Sequence, residues 1–293
     1  MNNEIINLLL HNHKIPLNSI SISKNEVNKL IALGFPIKIK NNNLYLLNEI
    51  NRSLITYGLK KKIDVETYNT ISSTNTYCRQ RCFQNDTLVC SSHQENGRGR
   101  KGKSFFSPPD GLYFTLSMKT DNVDISNATI IAALSITKAL NKLYQIDCMI
   151  KWVNDIYYQG KKVAGILSEA FTDNNSLILL IGIGININQN NFPDEINSIA
   201  TSLFIPDCNR SQLISEIINN IYQLFNVDKA TIIEEYRRKM FLIGKEVSFT
   251  INNVSYVGEA IDINEEGNLI VNCNNKNMVL KSGEISLGSK QYK

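Results

Sequence analysis

The chain has 293 residues, a length that predicts two or three domains. Its formal net charge of +4 is too mild for a protein that binds nucleic acid over its whole surface, although residues 1–60 hold seven Lys or Arg against three Asp or Glu. No apolar run is long enough to span a membrane, and residues 5–10 lack the length and cationic lead of a signal peptide. The six cysteines show no C-x-x-C spacing, so we expect a cytoplasmic protein with reduced thiols.

The N-terminal region predicts two helices followed by a hairpin. Residues 3–11 and 24–33 have helical apolar spacing, and Ser23 can cap the second helix, which Gly34 ends. Residues 35–47 alternate around three asparagines, which is a hairpin signal. This order is similar to a winged helix-turn-helix domain.

The central region predicts a mixed α+β domain rather than a doubly wound βαβ array. A long helix fits residues 126–144, and two more fit 210–225 and 228–238. Short strands are expected near residues 65–68, 88–91, 112–118, 150–153, 162–167 and 177–185.

The pattern changes after residue 243 to short strands separated by Asn and Gly turns, which suggests a small β barrel. We therefore expect three domains: an N-terminal domain with its linker, a central domain and a C-terminal barrel, at residues 1–62, 63–240 and 241–293.

Four short segments of the central region are the candidates for chemistry. Glycines let the backbone approach a ligand closely, and arginines match phosphate and carboxylate oxygens. Taken alone, the glycine-rich segment could equally be a solvated basic turn or a nucleic-acid-binding patch. The segments are residues 72–77 (S-S-T-N-T-Y), 91–109 (S-S-H-Q-E-N-G-R-G-R-K-G-K-S-F-F-S-P-P, with G-R-G-R-K-G at 97–102), 151–169 (K-W-V-N-D-I-Y-Y-Q-G-K-K-V-A-G-I-L-S-E) and 181–188 (I-G-I-G-I-N-I-N).

In this order and spacing, the four segments resemble the catalytic domain of biotin protein ligases, over residues 67–236. The resemblance implies a class II aminoacyl-tRNA-synthetase/biotin-ligase-like central domain with a winged helix-turn-helix-like domain before it and an SH3-like barrel after it. It implies that ATP, with Mg²⁺, activates biotin as biotinyl-5'-AMP. The biotin is then transferred to a lysine of a biotin carboxyl-carrier protein, such as that of acetyl-CoA carboxylase. It also implies a homodimer promoted by biotinyl-AMP.

The resemblance also implies roles for individual residues. Lys162, Arg98 and Arg100 would be catalytic, because cations can neutralise charge that develops on the α-phosphoryl oxygens. Asp155 would hold Mg²⁺ through the nucleotide. The biotin-binding residues would be Ser73, Thr74, Asn75, Gln94, Gly97, Arg98, Arg100, Lys162, Gly165, Gly182 and Gly184. The ATP-binding residues would be Arg100, Phe105, Lys151, Asn154, Asp155, Lys162 and Asn186.

Some of these residues have structural alternatives. Ser73 and Thr74 could cap a helix, and Gly182 and Gly184 could form a β-bulge in a packed core.

The chain departs from the family pattern at three positions. Val153 stands where proline is common, and Phe105 stands where relatives carry a tryptophan that stacks on adenine. Gly288 stands where relatives can carry an arginine, although Glu284 is retained in the same closing motif.

Two other functions remain open. The protein could act mainly as a repressor that senses biotinyl-AMP and binds operator DNA through Lys24 and Lys29, with Lys38 and Lys40 on a wing. Against this, residues 16–23 leave little room for a middle helix, and no arginine precedes Arg52. A lipoate–protein ligase shares the catalytic fold, but the G-R-G-R-K-G and K-V-A-G-I-L motifs favour biotin.

Overall fold

The computed structural model describes residues 3–20, 23–81, 83–121, 124–173, 175–281, 283 and 285–287. Glu284 and Gly288 of the closing motif, and Cys82, one of the six cysteines, lie outside the described residues. Among the described residues, no helix is long and apolar enough to cross a membrane.

The N-terminal part has the predicted order, but its middle helix is reduced to one 3-10 turn at Leu17–Ser19. Ser23 caps the second helix as predicted, because its hydroxyl accepts from the backbone N–H of Glu26 at 3.3 Å. The predicted linker is not extended throughout, since it contains a further helix. The elements are α1 (Asn3–Asn12), β1 (Lys14–Pro16), α2 (Lys24–Ala32), β2 (Ile37–Lys40), β3 (Asn43–Leu46) and the linker helix α3 (Arg52–Gly58).

A seven-stranded mixed sheet forms the centre of the described chain, in the order β4-β5-β6-β10-β9-β8-β7. Strands β4 and β5 are parallel, and the remaining neighbours are antiparallel. This arrangement confirms the predicted α+β class. The strands are β4 (Asp64–Ile71), β5 (Thr87–Gln94), β6 (Leu112–Thr120), β7 (Met149–Lys151), β8 (Asp155–Tyr158), β9 (Lys161–Asp173) and β10 (Ser176–Ile185).

Helices cover the two faces of this sheet unequally. The long helix α5 packs on β9 and β10, and α7 and α8 pack against α5. The short helix α4 lies on the opposite face, against β5, β6 and β10. The helices are α4 (Thr74–Gln80), α5 (Ile125–Tyr144), α6 (Asp194–Asn197), α7 (Arg210–Leu224) and α8 (Lys229–Lys239).

The side chains of strand β10 alternate between the α5 face and the α4 face of the sheet, and this puts its two glycines on the α4 face. Ile181, Ile183 and Ile185 belong to the core under α5, whereas Ile178 and Leu180 pack with Cys78 of α4. Side chains alternate along a strand, so Gly182 and Gly184 lie on the α4 side. The ladders of β10 with β6 and β9 run without a register shift, which excludes a β-bulge at these glycines.

A five-stranded antiparallel sheet forms the C-terminal part, in the order β14-β13-β12-β11-β15. Trp152 connects it to the centre, since its indole N–H donates to the carbonyl of Gly267 at 2.9 Å. The strands are β11 (Glu246–Ile251), β12 (Val254–Ile263), β13 (Leu269–Cys273), β14 (Lys276–Leu280) and β15 (Ser286–Leu287).

Candidate functional site

A cavity of about 520 Å³ opens on the α4 side of the central sheet. The four segments singled out in the sequence meet there, although they are separated along the chain. All the predicted biotin- and ATP-binding residues line it except Gly97, namely Ser73, Thr74, Asn75, Gln94, Arg98, Arg100, Phe105, Lys151, Asn154, Asp155, Lys162, Gly165, Gly182, Gly184 and Asn186.

Glycines form the floor of the cavity. Gly165 of β9 pairs directly with Gly184 of β10, and the ring of Phe105 lies over both. A Cβ atom at Gly184 would stand 2.5 Å from a ring carbon of Phe105, and one at Gly165 would stand 2.9 Å from another. Only glycine leaves room for the ring here, so this floor depends on both residues.

The glycine-rich loop is a hairpin that carries Arg98 and Arg100 over this floor. The backbone N–H of Phe105 donates to the carbonyl of Gly97 at 2.8 Å, and Arg98 and Ser104 form a bridge. A Cβ at Gly97 would stand 2.4 Å from the carbonyl oxygen of Phe105. Gly97 therefore lets the two arms of the hairpin close, although it does not line the cavity.

The start of α4 supplies a polar wall. Ser73 is the N-cap of this helix, as the structural alternative predicted, because its hydroxyl accepts from the N–H of Thr76. Gln94 accepts from the N–H and the hydroxyl of Thr74 at 2.9 and 3.1 Å. The hydroxyl of Thr74 also lies 2.9 Å from that of Thr115, a lining residue that the sequence did not indicate.

Asn75 presents an unused donor to the cavity. Its side-chain oxygen accepts from Arg98 at 3.2 Å, while its buried Nδ2 has no hydrogen-bond partner among the described residues. This amide nitrogen faces β10, 3.2 Å from where a Cβ of Gly182 would stand. A buried donor without a partner is costly, so a ligand with an acceptor atom at this position would be favoured.

Two cations anchor the opposite wall. Lys162 forms an ion pair with Asp155 at 2.6 Å, and its ammonium lies 5.8 Å from the ring centroid of Phe105. Arg100 donates to the side-chain oxygen of Asn154 at 3.1 Å. These positive groups lie beside a glycine floor, an arrangement that can hold an anion between them.

Three further predicted residues have defined places. Lys151 lies 5.6 Å above the ring of Tyr157. Asn186 lines the cavity but uses its amide to donate to the carbonyl of Thr201 at 3.1 Å. Val153, at the position where relatives have proline, follows Trp152 through a cis peptide bond.

Asp155 is the predicted metal contact. No group of three or more His, Cys, Asp or Glu side chains that could hold a metal occurs in the described ranges. Magnesium is often bound by one or two carboxylates together with the phosphates of a nucleotide. The Asp155 carboxylate at the cavity wall therefore fits Mg²⁺ that arrives with ATP.

An apolar wall of the cavity was not found from the sequence. A backbone bond from Lys162 to the carbonyl of Ile199 brings the β10–α7 connection beside the site. The ring of Phe106 lies 6.0 Å from that of Phe192 at the same rim. The added lining residues here are Phe192, Ile196, Ile199 and Ala200.

The C-terminal sheet also reaches the cavity, through Gly283, Ile285 and Ser286. The closing motif of the sequence indicated this region, although Glu284 and Gly288 lie outside the described residues. Lys24 and Lys29 are far from these contacts in the chain and do not line the cavity; both are exposed on α2.

Comparison with known proteins gives consistent results. The Biotin/lipoate A/B protein ligase family matches residues 67–186, and the Biotin protein ligase C terminal domain matches residues 242–288. The chain is 30% identical over 260 residues to the Bifunctional ligase/repressor BirA of Bacillus subtilis, covering 82% of this chain and 80% of that protein. It is 28% identical over 213 residues to the Biotin--[acetyl-CoA-carboxylase] ligase of Mycobacterium tuberculosis, covering 68% and 77%.

A solved structure is also similar. The biotin protein ligase from Aquifex aeolicus in complex with biotin and ATP has a TM-score of 0.67 and 28% identity, and the match covers 77% of this chain and 98% of that one.

Proposed function

Because the chain belongs to the biotin/lipoate A/B protein ligase family, we propose that it is an ATP-dependent biotin–protein ligase. One observation carries the proposal: a single cavity collects the predicted biotin and ATP residues from four separate segments of the chain. The similar Aquifex aeolicus protein is a ligase whose structure holds both biotin and ATP.

In the first step, a carboxylate oxygen of biotin attacks the α-phosphorus of ATP. The bond from that phosphorus to the bridging oxygen breaks, and pyrophosphate leaves with its electron pair, giving biotinyl-5'-AMP. Lys162 and Arg100 line the cavity and would stabilise the negative charge on the phosphoryl oxygens. Their fixed places in the wall also hold the two anions together, which lowers the entropic part of the barrier.

Mg²⁺ supplied with ATP would be held by Asp155 and the phosphates, where it would neutralise phosphate charge. Asp155 pairs with Lys162 at 2.6 Å, and this ion pair fixes the position of the ammonium at the cavity wall.

In the second step, the neutral amine of a carrier lysine attacks the acyl carbon of the adenylate. An amide forms, AMP leaves, and the amine proton is lost to solvent. The mixed anhydride must not meet water before this attack. The hairpin carrying Arg98 and Arg100, together with Phe105 and Phe106, forms the wall that separates it from solvent.

The polar wall at α4 favours biotin as the substrate. Thr74, Gln94 and the free Nδ2 of Asn75 offer hydrogen-bonding groups beside the glycine floor. The ring system of biotin carries a ureido group that needs such partners, whereas the dithiolane of lipoate does not. We therefore propose biotin rather than lipoate.

Intact-mass analysis of a biotin carrier domain tests the proposal. The domain is incubated with this protein, ATP, Mg²⁺ and biotin, with lipoate in a parallel reaction. A biotin-sized mass gain on one lysine, absent with lipoate, is expected. No gain with biotin would contradict the ligase proposal, and a gain with lipoate alone would identify a lipoate–protein ligase.

The partners follow from the same proposal. The acceptor would be a biotin carboxyl-carrier protein such as that of acetyl-CoA carboxylase, and two copies of the chain would associate when biotinyl-AMP is bound. Analytical ultracentrifugation with and without biotin and ATP would test the second point.

DNA binding is a second candidate function, because the N-terminal part exposes a row of cations. Lys24 and Lys29 are exposed on α2, and Lys38 and Lys40 are exposed on β2. The relative from Bacillus subtilis is a ligase and a repressor. A gel shift on DNA upstream of biotin synthesis genes should show salt-dependent binding that needs biotin and ATP. Glutamine at Lys24 and Lys29 should abolish it.

A further inference from the structure

Glu169 lies on β9 beyond the cavity, on the same face of the strand as Gly165 and Leu167, which line the cavity. Gly165, Leu167 and Glu169 alternate along this strand, so their side chains point the same way. The two carboxylate oxygens of Glu169 accept from Arg98, each at 3.3 Å. The exposed fraction of the Glu169 side chain is 19%, against 39% for Arg98.

Arg98 links Glu169 to Asn75, because it donates hydrogen bonds to both. The same guanidinium nitrogen, Nη1, donates to Glu169 and, at 3.2 Å, to the side-chain oxygen of Asn75. A guanidinium has no acceptor, so Asn75 must turn its oxygen toward Arg98. Its Nδ2 is thereby turned toward the cavity, where it lacks a partner among the described residues.

We propose that Glu169 is a positioning residue for the biotin site. It holds Arg98 in the place where the guanidinium fixes the orientation of the Asn75 amide, so that the amide presents a donor to an acceptor atom of the biotin ring system. The inference rests on the proposed function. Glu169 touches no substrate in this scheme and acts through two other side chains.

The hydrogen-bonded series Glu169–Arg98–Asn75 is partly exposed to solvent. We therefore expect it to affect biotin binding more than the free energy of unfolding. Ion pairs that reach solvent contribute little to the free energy of unfolding. The amide orientation matters more, because Asn75 is 4% exposed and a reversed amide would place an oxygen against the ligand acceptor. Loss of Glu169 should therefore weaken biotin binding without unfolding the protein.

The chain provides a matched control in Arg79. Its guanidinium also pairs with Glu169, at 3.5 Å, but its side chain is 50% exposed and is not among the residues lining the cavity. Removing Arg79 takes one partner from the same carboxylate and leaves the Glu169–Arg98–Asn75 series in place.

Glu169→Gln tests the inference in the full-length protein. Calorimetric titration should show biotin binding weakened about tenfold, since hydrogen bonds to charged groups are the stronger ones. The KM for biotin should rise in parallel, the KM for ATP should stay unchanged, and the melting temperature should be that of the wild type. Arg79→Gln should bind biotin like the wild type.

A double-mutant cycle shows whether Glu169 acts on biotin binding through the Asn75 amide or through a general change of the site. Glu169→Gln should add no further loss of biotin affinity in an Asn75→Ala background, because the amide it orients is already gone. Equal biotin affinity in Glu169→Gln and wild type, or additive losses in the cycle, would overturn the inference and leave the ligase proposal standing. A wild-type protein that does not bind biotin would overturn both.

Discussion

Lys162 forms an ion pair with Asp155 and, in the proposed reaction, stabilises the charge on the phosphoryl oxygens. Its ammonium is 2.6 Å from Asp155 and lines the cavity in which the proposed mechanism puts the α-phosphate. Lys162→Ala should reduce adenylate formation by about 100-fold or more, because preorganised positive charge is lost where negative charge develops. Pyrophosphate release with biotin and ATP measures this step.

Lys161 is the control for this variant. Its ammonium donates to the carbonyl of Asn197 at 2.9 Å, so it holds the neighbouring connection instead of facing the reaction. Lys161→Ala should keep a rate close to that of the wild type, and both variants should give the circular dichroism spectrum of the wild type. A near-normal rate in Lys162→Ala would remove that residue from the mechanism.

Arg100 joins the glycine-rich hairpin to the nucleotide wall through its 3.1 Å hydrogen bond to Asn154. Arg100→Gly should let biotinyl-AMP escape before transfer, because this contact and a cation beside the phosphate are both lost. Released adenylate acylates lysines without selection. Mass spectrometry of a bystander protein in the reaction should then find biotin on many lysines.

Lys101 provides the matched control, because it also lines the cavity mouth and has a positive φ of 53° that suits glycine. Lys101→Gly should leave bystander labelling at the wild-type level. Tight retention of the adenylate in Arg100→Gly would show that other contacts hold the loop closed.

At the scale of elements, Gly184 lets the glycine-rich hairpin pack on the paired strands β9 and β10. A methyl group there would stand 2.5 Å from the ring of Phe105. Gly184→Ala should cost about 1–3 kcal/mol of unfolding free energy through overpacking. Thermal unfolding measures this loss, and titration with biotin and ATP should show weaker binding of both.

Two further variants test whether overpacking against the Phe105 ring causes the loss of stability in Gly184→Ala. Phe105→Ala removes the ring, so Gly184→Ala should cost little in that background. Gly182→Ala should cost less than Gly184→Ala, because its Cβ would lie 3.2 Å from the Asn75 amide and 3.3 Å from the carbonyl oxygen of Leu167, against 2.5 Å from the Phe105 ring at Gly184. An unchanged cost of Gly184→Ala without the ring would place the strain elsewhere.

At the scale of the whole molecule, Ser211 of α7 connects the N-terminal part to the central part of the chain. Its buried hydroxyl donates to the carbonyl of Glu49 at 2.9 Å and accepts from the N–H of Asn51 at 2.8 Å. Ser211→Ala should leave both groups unpaired and lower the free energy of unfolding by about 1–3 kcal/mol. Limited proteolysis should then cut residues 48–62 faster.

Ser53→Ala is the control, because this half-buried hydroxyl donates to the carbonyl of Leu33 within the N-terminal part and not to the central part. It should change proteolysis at residues 48–62 little. Equal resistance of the Ser211 variant would mean that apolar packing of α3 on α7 holds the two parts together without these bonds.

The sequence by itself determined the elements and the chemical types at the site. The apolar spacing of residues 126–144 predicts α5, whose bounds are Ile125–Tyr144, because helical periodicity is a local property. Ser23 and Ser73 act as the helix caps that their residue types predict. The glycines, amides and cations of the cavity could also be predicted, because each of the four motifs is a contiguous stretch of sequence and can be recognised locally.

Only the tertiary structure decided which distant groups meet. The pairing of Glu169 with Arg98 joins residues 71 positions apart, and it depends on the register of β9 and on closure of the hairpin. The apolar wall at Phe192 and Ile199 reaches the cavity through a backbone bond to Lys162, with no local pattern to indicate it. Such contacts depend on sheet order and loop paths, which many distant interactions set together, so residue type and spacing could not foretell them.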